Sequence, residues 1–172
     1  MPTRVVLVPA TDPLEALAAF AAGSVARGNF VIVVDLTRAV RELSDRFAAR
    51  MDASQFRIVD GLVDPEAGPD QRVESAGPLT AAMRLARRFI REKGRKSHVI
   101  VHNVDALTHL PPSLLEEMAN YVEATRLYPE VVVDYVVKDL HGLHLDLQEF
   151  LNEFVDSEIH LKAAGKPDAT PA

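Results

Sequence analysis

The sequence predicts a three-layer α/β fold, in which helices flank a mainly parallel central sheet. The first observation behind this prediction is that apolar β-branched runs, such as VIVV at 31–34 and VVV at 131–133, are continuous and do not alternate with polar residues. Strands that are buried on both faces have this pattern. The second observation is that these runs alternate with segments of helical periodicity, which is the order that produces an open, doubly wound sheet.

Each apolar run is taken as one strand. The predicted strands cover residues 4–8, 30–35, 56–59, 98–103, 130–137 and 158–161.

Helices are predicted in the gaps between the strands. Asp12 is placed to cap the first helix, with Pro13 at its first position and Glu15 in its first turn. Thr37 is placed to cap the second helix. Apolar stripes predict three later helices, at 78–93, from 111 onward, and at about 145–154.

Composition limits the classes of function. The chain has 172 residues, which predicts one domain over 1–161, followed by a small, polar and flexible tail at 162–172. A net charge of -6 makes a general nucleic-acid binder an unexpected partner class. The lack of cysteine excludes disulfides, thiolate catalysis and Cys-based zinc sites. No apolar run approaches the roughly 18 residues of a membrane span, so we expect a cytoplasmic protein without a membrane partner.

The turn after the first strand lacks the residues of a phosphate-binding loop. It reads PATDP at 9–13, no glycine precedes Gly23, and no Lys-Ser/Thr pair follows. A P-loop needs glycines whose backbone N–H groups surround a phosphate and a lysine that neutralises it. Pro9 and Pro13 have no N–H group, and the carboxylate of Asp12 would repel a phosphate. The sequence therefore predicts that this turn does not hold a nucleotide in the usual way.

Several segments carry a family resemblance. They are the N-terminal strand–turn–helix, GNFVIVVDLTR at 28–38, HVIVHNVDAL at 98–107, VESAGPLT at 73–80 and FVDSEIHL at 154–161. Their order and spacing resemble the RecA-like core, and specifically the archaeal KaiC-like ATPases, over residues 4–161. The resemblance implies a RecA/KaiC-like fold and makes side-by-side self-association an expectation.

The departures from this family lie at its chemistry. By the resemblance, His102 stands where active relatives hold the magnesium-bound water, and Thr37 and Arg38 stand where they place water-activating carboxylates. Neutral imidazole is a poor ligand for Mg²⁺, which prefers oxygen. We therefore expect a degenerate domain that lacks the P-loop, does not hydrolyse ATP, has no catalytic residues of this kind and uses no cofactor. Unrelated chemistry at the same edge stays open.

Polar residues gather where the predicted strands end. Open α/β sheets bind ligands at the carboxyl ends of their strands, so a ligand site is expected at this edge. The alternative is that these side chains cap helices and satisfy backbone groups. The candidate ligand-binding residues are Thr11, Asp12, Asp35, Thr37, Arg38, His102, Asn103 and Asp105.

Two further patterns lie outside this edge. Arg84, Arg87, Arg88 and Arg91 have the spacing of one helix face and are candidates for binding an acidic partner, such as the acidic stretch 60–74 of a neighbouring copy, or a nucleic-acid backbone. The alternative is an ordinary solvated face. The pair His141 and His144 could ligate a metal, but the sequence supplies no clear further ligand, and we assign no metal site.

Two functions stay open at this point. The first is a non-catalytic regulatory or scaffolding module that binds a protein partner, either a KaiC-like ATPase homologue or a second copy of itself. The second is a sensor that binds a small ligand or nucleotide at the strand edge without hydrolysis, with Arg38 in place of the missing lysine.

Overall fold

The computed structural model describes residues 3–37, 39–60, 88, 91–92, 96–102, 104–106, 120, 131–143 and 145–162. The strands in these ranges are β1 (Thr3–Leu7), β2 (Phe30–Asp35), β3 (Phe56–Asp60), β4 (Ser97–His102), β5 (Val131–Val137) and β6 (Ser157–His160). The helices with described bounds are α1 (Pro13–Ala26), α2 (Val40–Ala48) and α3 (Leu145–Phe154). Short 3₁₀ turns lie at Ala53–Gln55, Val104–Ala106 and Leu140–Gly142.

The six strands form one sheet in the order β3-β2-β4-β5-β1-β6, and all neighbouring pairs are parallel. The fold class predicted from the sequence is confirmed, and each strand lies within one residue of its predicted bounds. In this order β4 and β5 lie between β2 and β1, so the residues that follow these four strands meet at one edge of the sheet.

Both faces of the sheet are covered by helices. On one face, α1 and α2 contribute Leu17 and Phe47 to an apolar cluster with residues of the central strands. On the other face, α3 contributes Leu147 and Leu151 to a second cluster. Every residue of β2 is buried, which explains why its sequence is apolar from Phe30 to Val34.

Of the two predicted helix caps, Asp12 is confirmed in position but not in its side-chain bond, and Thr37 is wrong. Asp12 occupies the N-cap position of α1, but its backbone is left-handed, with φ 46°, and its side chain makes no capping hydrogen bond. Helix α2 begins at Val40 after Ala39, so Thr37 lies outside the cap position. The carboxylate of Asp35 instead accepts hydrogen bonds from the backbone N–H groups of Thr37 and Ala39. The carboxylate of Asp35, at the end of β2, therefore accepts from the backbone at the beginning of α2, the role that was predicted for the side chain of Thr37.

Some predictions fall outside the described residues. These are the long loop at 61–77, the helix from 111 apart from Asn120, most of the helix at 78–93, and the tail from 163. Within the predicted helix at 78–93, the described positions 88, 91 and 92 are helical. Within the described ranges, no helix is both long and apolar enough to cross a membrane.

Candidate functional site

The candidate site lies at the carboxyl ends of neighbouring strands. Asp35 is the last residue of β2, His102 is the last residue of β4, and the two are directly paired in the register of the parallel sheet. The next backbone N–H group, that of Leu36, donates to the carbonyl oxygen of His102 at 3.3 Å. The sheet register therefore brings together two side chains that are 67 positions apart in the sequence.

Asp35 is a buried acceptor with four donors around it. Its Oδ1 accepts from the backbone N–H of Thr37 at 3.0 Å, the hydroxyl of Thr37 at 2.7 Å and Nδ1 of His102 at 3.1 Å. Its Oδ2 accepts from the N–H of Ala39 at 2.7 Å. Burial of the carboxyl opposes its ionisation, but the hydrogen bonds from His102 and Thr37 outweigh it and hold the pKa of Asp35 below its usual value. Asp35 is therefore an ionised side chain whose hydrogen-bonding capacity is already used.

The contact with Asp35 fixes the orientation of the His102 ring. An ionised carboxylate can only accept, so Nδ1 of His102 carries the proton that it donates. In the neutral ring, Nε2 is then left with a free lone pair. His102 is 5% exposed, and Nε2 forms no hydrogen bond with any described residue.

His102 lines a cavity of about 320 Å³ between the beginnings of α1 and α2. Of the residues proposed from the sequence, the cavity brings together Asp12, Thr37 and His102. Glu42 and Lys138 were missed, although Lys138 directly follows an apolar strand and could have been found by the same strand-end argument. The cavity is lined by Asp12, Pro13, Leu14, Thr37, Ala39, Glu42, His102 and Lys138.

Asp12 belongs to an ion-pair cluster between α1 and α2. Nη1 of Arg46 lies 3.0 Å from Oδ1 of Asp12 and 3.2 Å from Oε2 of Glu15. Arg50 donates to Glu15 from Nε at 2.7 Å. Hydrogen bonds from Arg50 and then Arg46 hold the pKa of Glu15 below its usual value. The beginning of α1 thus carries two carboxylates, which are bound to Arg46 of α2 and to Arg50 just after that helix.

Asp105 has a structural contact of its own. Its carboxylate accepts from the backbone N–H of Lys138 at 2.8 Å and from that of Asp139 at 3.0 Å. These bonds fix the chain where it leaves β5, next to the cavity. Thr11 is exposed, with no hydrogen bond to another described residue. Arg38 and Asn103 lie outside the described residues.

The two patterns outside the strand edge lie only partly in the described residues. Arg88 and Arg91 are exposed, and Arg88 pairs with Glu92 at 2.9 Å on its own helix. Arg84 and Arg87 lie outside the described residues, as does His144. His141 is exposed, and no group of three or more potential metal-ligating side chains occurs in the described ranges.

Sequence reasoning missed a buried polar cluster around Asp134 in β5. Oδ2 of Asp134 lies 2.5 Å from Nε2 of His98, whose Nδ1 lies 2.7 Å from Oγ of Ser24. Arg4 donates to both carboxylate oxygens of Asp134. Burial raises the pKa of Asp134, but hydrogen bonds from His98 and Arg4 outweigh it and lower the pKa below its usual value.

This cluster has the order of a Ser-His-Asp triad but not its accessibility. Ser24 is completely buried, and its hydroxyl oxygen also accepts from Nδ2 of Asn29 at 3.0 Å. The ring of Phe20 packs edge-on against His98. A nucleophilic serine must reach a substrate, so we interpret the cluster as structural. The sequence signals for this cluster were Asp134 and Arg4, which are charged residues within the otherwise largely apolar strands β5 and β1.

Comparison with known proteins identifies the fold. No protein-family model matches the sequence, and a search of curated proteins gives no match. Among solved structures, the ATP synthase subunit NeqB from Nanoarcheaum equitans is similar over 94% of this chain, with a TM-score of 0.61 and 15% identity. A KaiC-like protein from Pyrococcus horikoshii is similar over 87% of the chain, with a TM-score of 0.53 and 15% identity. The chain spans 45% of the NeqB chain and 69% of the KaiC-like chain.

Proposed function

We propose that this chain, which has a RecA/KaiC-like fold, is a non-catalytic relative of KaiC-like ATPase domains and acts as a regulatory or scaffolding interaction module. The observation that carries the proposal is the state of the turn between β1 and α1. Pro9 and Pro13 remove backbone donors from it, and Asp12 is turned to Arg46. The place where an active relative would surround a phosphate with N–H groups instead presents a carboxylate held by an arginine.

The neighbouring carboxylates support the same proposal. Magnesium-assisted hydrolysis needs carboxylate oxygens that can bind the metal's water shell or orient the attacking water. Asp35 is buried and already accepts four hydrogen bonds, and Asp105 accepts backbone N–H groups after β5. Both carboxylates support local structure, and by the resemblance His102 stands where active relatives have an oxygen ligand.

An interaction partner is the second half of the proposal. The resemblance to RecA-like domains favours side-by-side assembly with another copy of the chain or with an active KaiC-like homologue. NeqB, which shares the fold, is by name a subunit of ATP synthase. A domain that keeps such a fold without its phosphate turn is suited to occupy a position in an assembly whose chemistry another subunit performs.

Thermal melting of the purified chain with ATP, ADP and GTP, each with and without Mg²⁺, tests the proposal. We expect no shift of the melting temperature with any nucleotide, because the turn lacks the glycine N–H groups and the lysine that bind phosphate in a P-loop. An active KaiC-like ATPase measured in parallel is the control that shows a shift. A magnesium-dependent upward shift of this chain would contradict the proposal, since a ligand that binds only the folded state must raise its stability.

The cavity at His102 favours a second candidate function, a sensor for a small ligand. Its specific support is a buried imidazole whose Nε2 has no described partner, in a cavity that is also lined by Lys138. In this role the chain would bind without hydrolysis and report the ligand to a partner.

A further inference from the structure

We propose that the cavity between α1 and α2 binds a small monocarboxylate that also carries a hydrogen-bond donor, such as a 2-hydroxy acid or an amino acid. The carboxylate would pair with Lys138, and the donor would bond to Nε2 of His102. This inference rests on the second candidate function above and names the ligand class of that site.

His102 supplies the first requirement, an acceptor in a fixed position. The ring is held from behind by Asp35 at 3.1 Å, so it cannot turn its free nitrogen away without losing that bond. Nε2 is not one of the described fully buried atoms that lack a partner, and His102 lines the cavity, so Nε2 is open to the cavity and available to a ligand. A hydroxyl or ammonium group of a ligand would satisfy it.

The other side of the cavity favours one negative charge. The side chain of Lys138 is exposed and forms no ion pair with any residue in the described ranges. Both α1 and α2 begin at the cavity, which is lined by Leu14 and Ala39, and the first turn of a helix carries partial positive charge. A carboxylate matches this combination of a single ammonium group and two helix ends.

The carboxylates on the cavity wall limit the charge that can enter. Asp12 and Glu42 both line the cavity and share Arg46, at 3.0 Å and 3.8 Å. A phosphate dianion or a triphosphate would meet both acids without the glycine amides that a P-loop supplies. The volume, about 320 Å³, is at the lower end of the range for ligand pockets, which also favours a small molecule over a nucleotide.

Four three-carbon probes separate the requirements when the full chain is titrated at constant ionic strength and followed by melting temperature and calorimetry. L-lactate and L-alanine have the carboxylate and the donor, propionate lacks the donor, and 1,2-propanediol lacks the carboxylate. We expect lactate or alanine to bind about tenfold more tightly than propionate, the effect of one well-placed hydrogen bond, and the diol not to bind. Equal binding of all three acids, or binding of none, would overturn the proposal.

Two variants assign the effect to residues. His102→Asn keeps a donor near the position of Nδ1, toward Asp35, and removes Nε2. It should bind lactate no better than propionate. Lys138→Met should lose both acids, and because Lys138 is exposed this variant should fold normally. Lys96→Met, an exposed lysine before β4 at the opposite end of the sheet, is the matched control and should bind as the parent chain does. Preserved discrimination in His102→Asn, or preserved binding in folded Lys138→Met, would contradict the assignment.

Inorganic phosphate and ATP complete the probe set and keep this test separate from that of the proposed function. Failure of the three-carbon acids with no effect of ATP overturns the carboxylate site and leaves the non-catalytic module standing. A magnesium-dependent ATP shift counts against the non-catalytic module, whatever the acids do. Tighter binding of phosphate than of lactate would overturn the monocarboxylate assignment.

Discussion

Arg4 and Asp134 form a two-pronged ion pair across the neighbouring strands β1 and β5. Nε and Nη2 of Arg4 each lie 2.7 Å from a different carboxylate oxygen, and the two residues are directly paired in the sheet register. Asp134 is completely buried and also contacts His98. The pair therefore joins two central strands at a point where an unpaired charge would be costly.

Replacing Asp134 should destabilise the fold strongly. Asp134→Ala leaves Arg4 and His98 without their shared acceptor inside the sheet, and we expect a loss of roughly 3–5 kcal/mol in the free energy of unfolding. Urea denaturation measures this loss. Asp45→Ala, at an exposed aspartate of α2, is the control and should change stability by less than about 0.5 kcal/mol. A similar small effect for both variants would show that the buried pair is not important for stability.

Stability should fall in acid because of Asp35 and Asp134. The pKa values of both carboxyls are lower in the folded chain than their usual values. As the pH falls, the unfolded chain takes up protons first, near pH 4, so these groups stabilise the fold above that pH and the stabilisation is lost below it. Urea denaturation between neutral pH and pH 3 should show this decline. Asp134→Asn should show a shallower decline than the parent chain, and an unchanged slope would contradict this explanation.

Removing the carboxylate of Asp35 should loosen the beginning of α2. Asp35→Ala leaves the N–H groups of Thr37 and Ala39 and Nδ1 of His102 without their acceptor, and we expect a loss of about 3 kcal/mol. Hydrogen exchange compares the variant with the parent chain. The exchange of these two amides should be accelerated more than that of amides in the middle of β4. Uniform acceleration across the sheet would instead indicate general destabilisation.

The ion pairs between α1 and α2 should make a salt-dependent contribution. Arg46→Ala removes the contacts with Asp12 and Glu15, whose side chains are partly exposed. We expect a small decrease in melting temperature at low ionic strength that shrinks as salt is added, because exposed charges are screened. Arg41→Ala, an exposed arginine at the beginning of the same helix, serves as the control. A decrease that is independent of salt would show that packing of the Arg46 stem is the cause.

The sheet could be predicted from the sequence because its physical signal is local. Strand β2 is buried at every position, so its sequence is apolar up to its last residue, and its limits, Phe30 and Asp35, were predicted without error. Helix α3 was also predicted at its observed bounds, since its apolar stripe at Leu147, Phe150 and Leu151 faces the core.

The contacts within the candidate site could not be predicted in the same way, because they depend on strand order. Thr37 looked like a cap when only its neighbours in sequence were considered. The strand register then places His102 beside Asp35, and Asp35 takes over the backbone donors. Asp12 was likewise assigned to capping, but an arginine 34 positions away binds its carboxylate. A sequence pattern shows which residues lie near the edge, whereas the partners follow only from the fold.

Steady-state release of phosphate from ATP by the purified chain, with Mg²⁺ present, tests the central claim most directly. The non-catalytic proposal predicts no release above that of buffer alone, while an active KaiC-like ATPase under the same conditions turns over. A sustained phosphate-releasing activity that copurifies with the folded chain, and that is lost when the chain is unfolded, would contradict the claim.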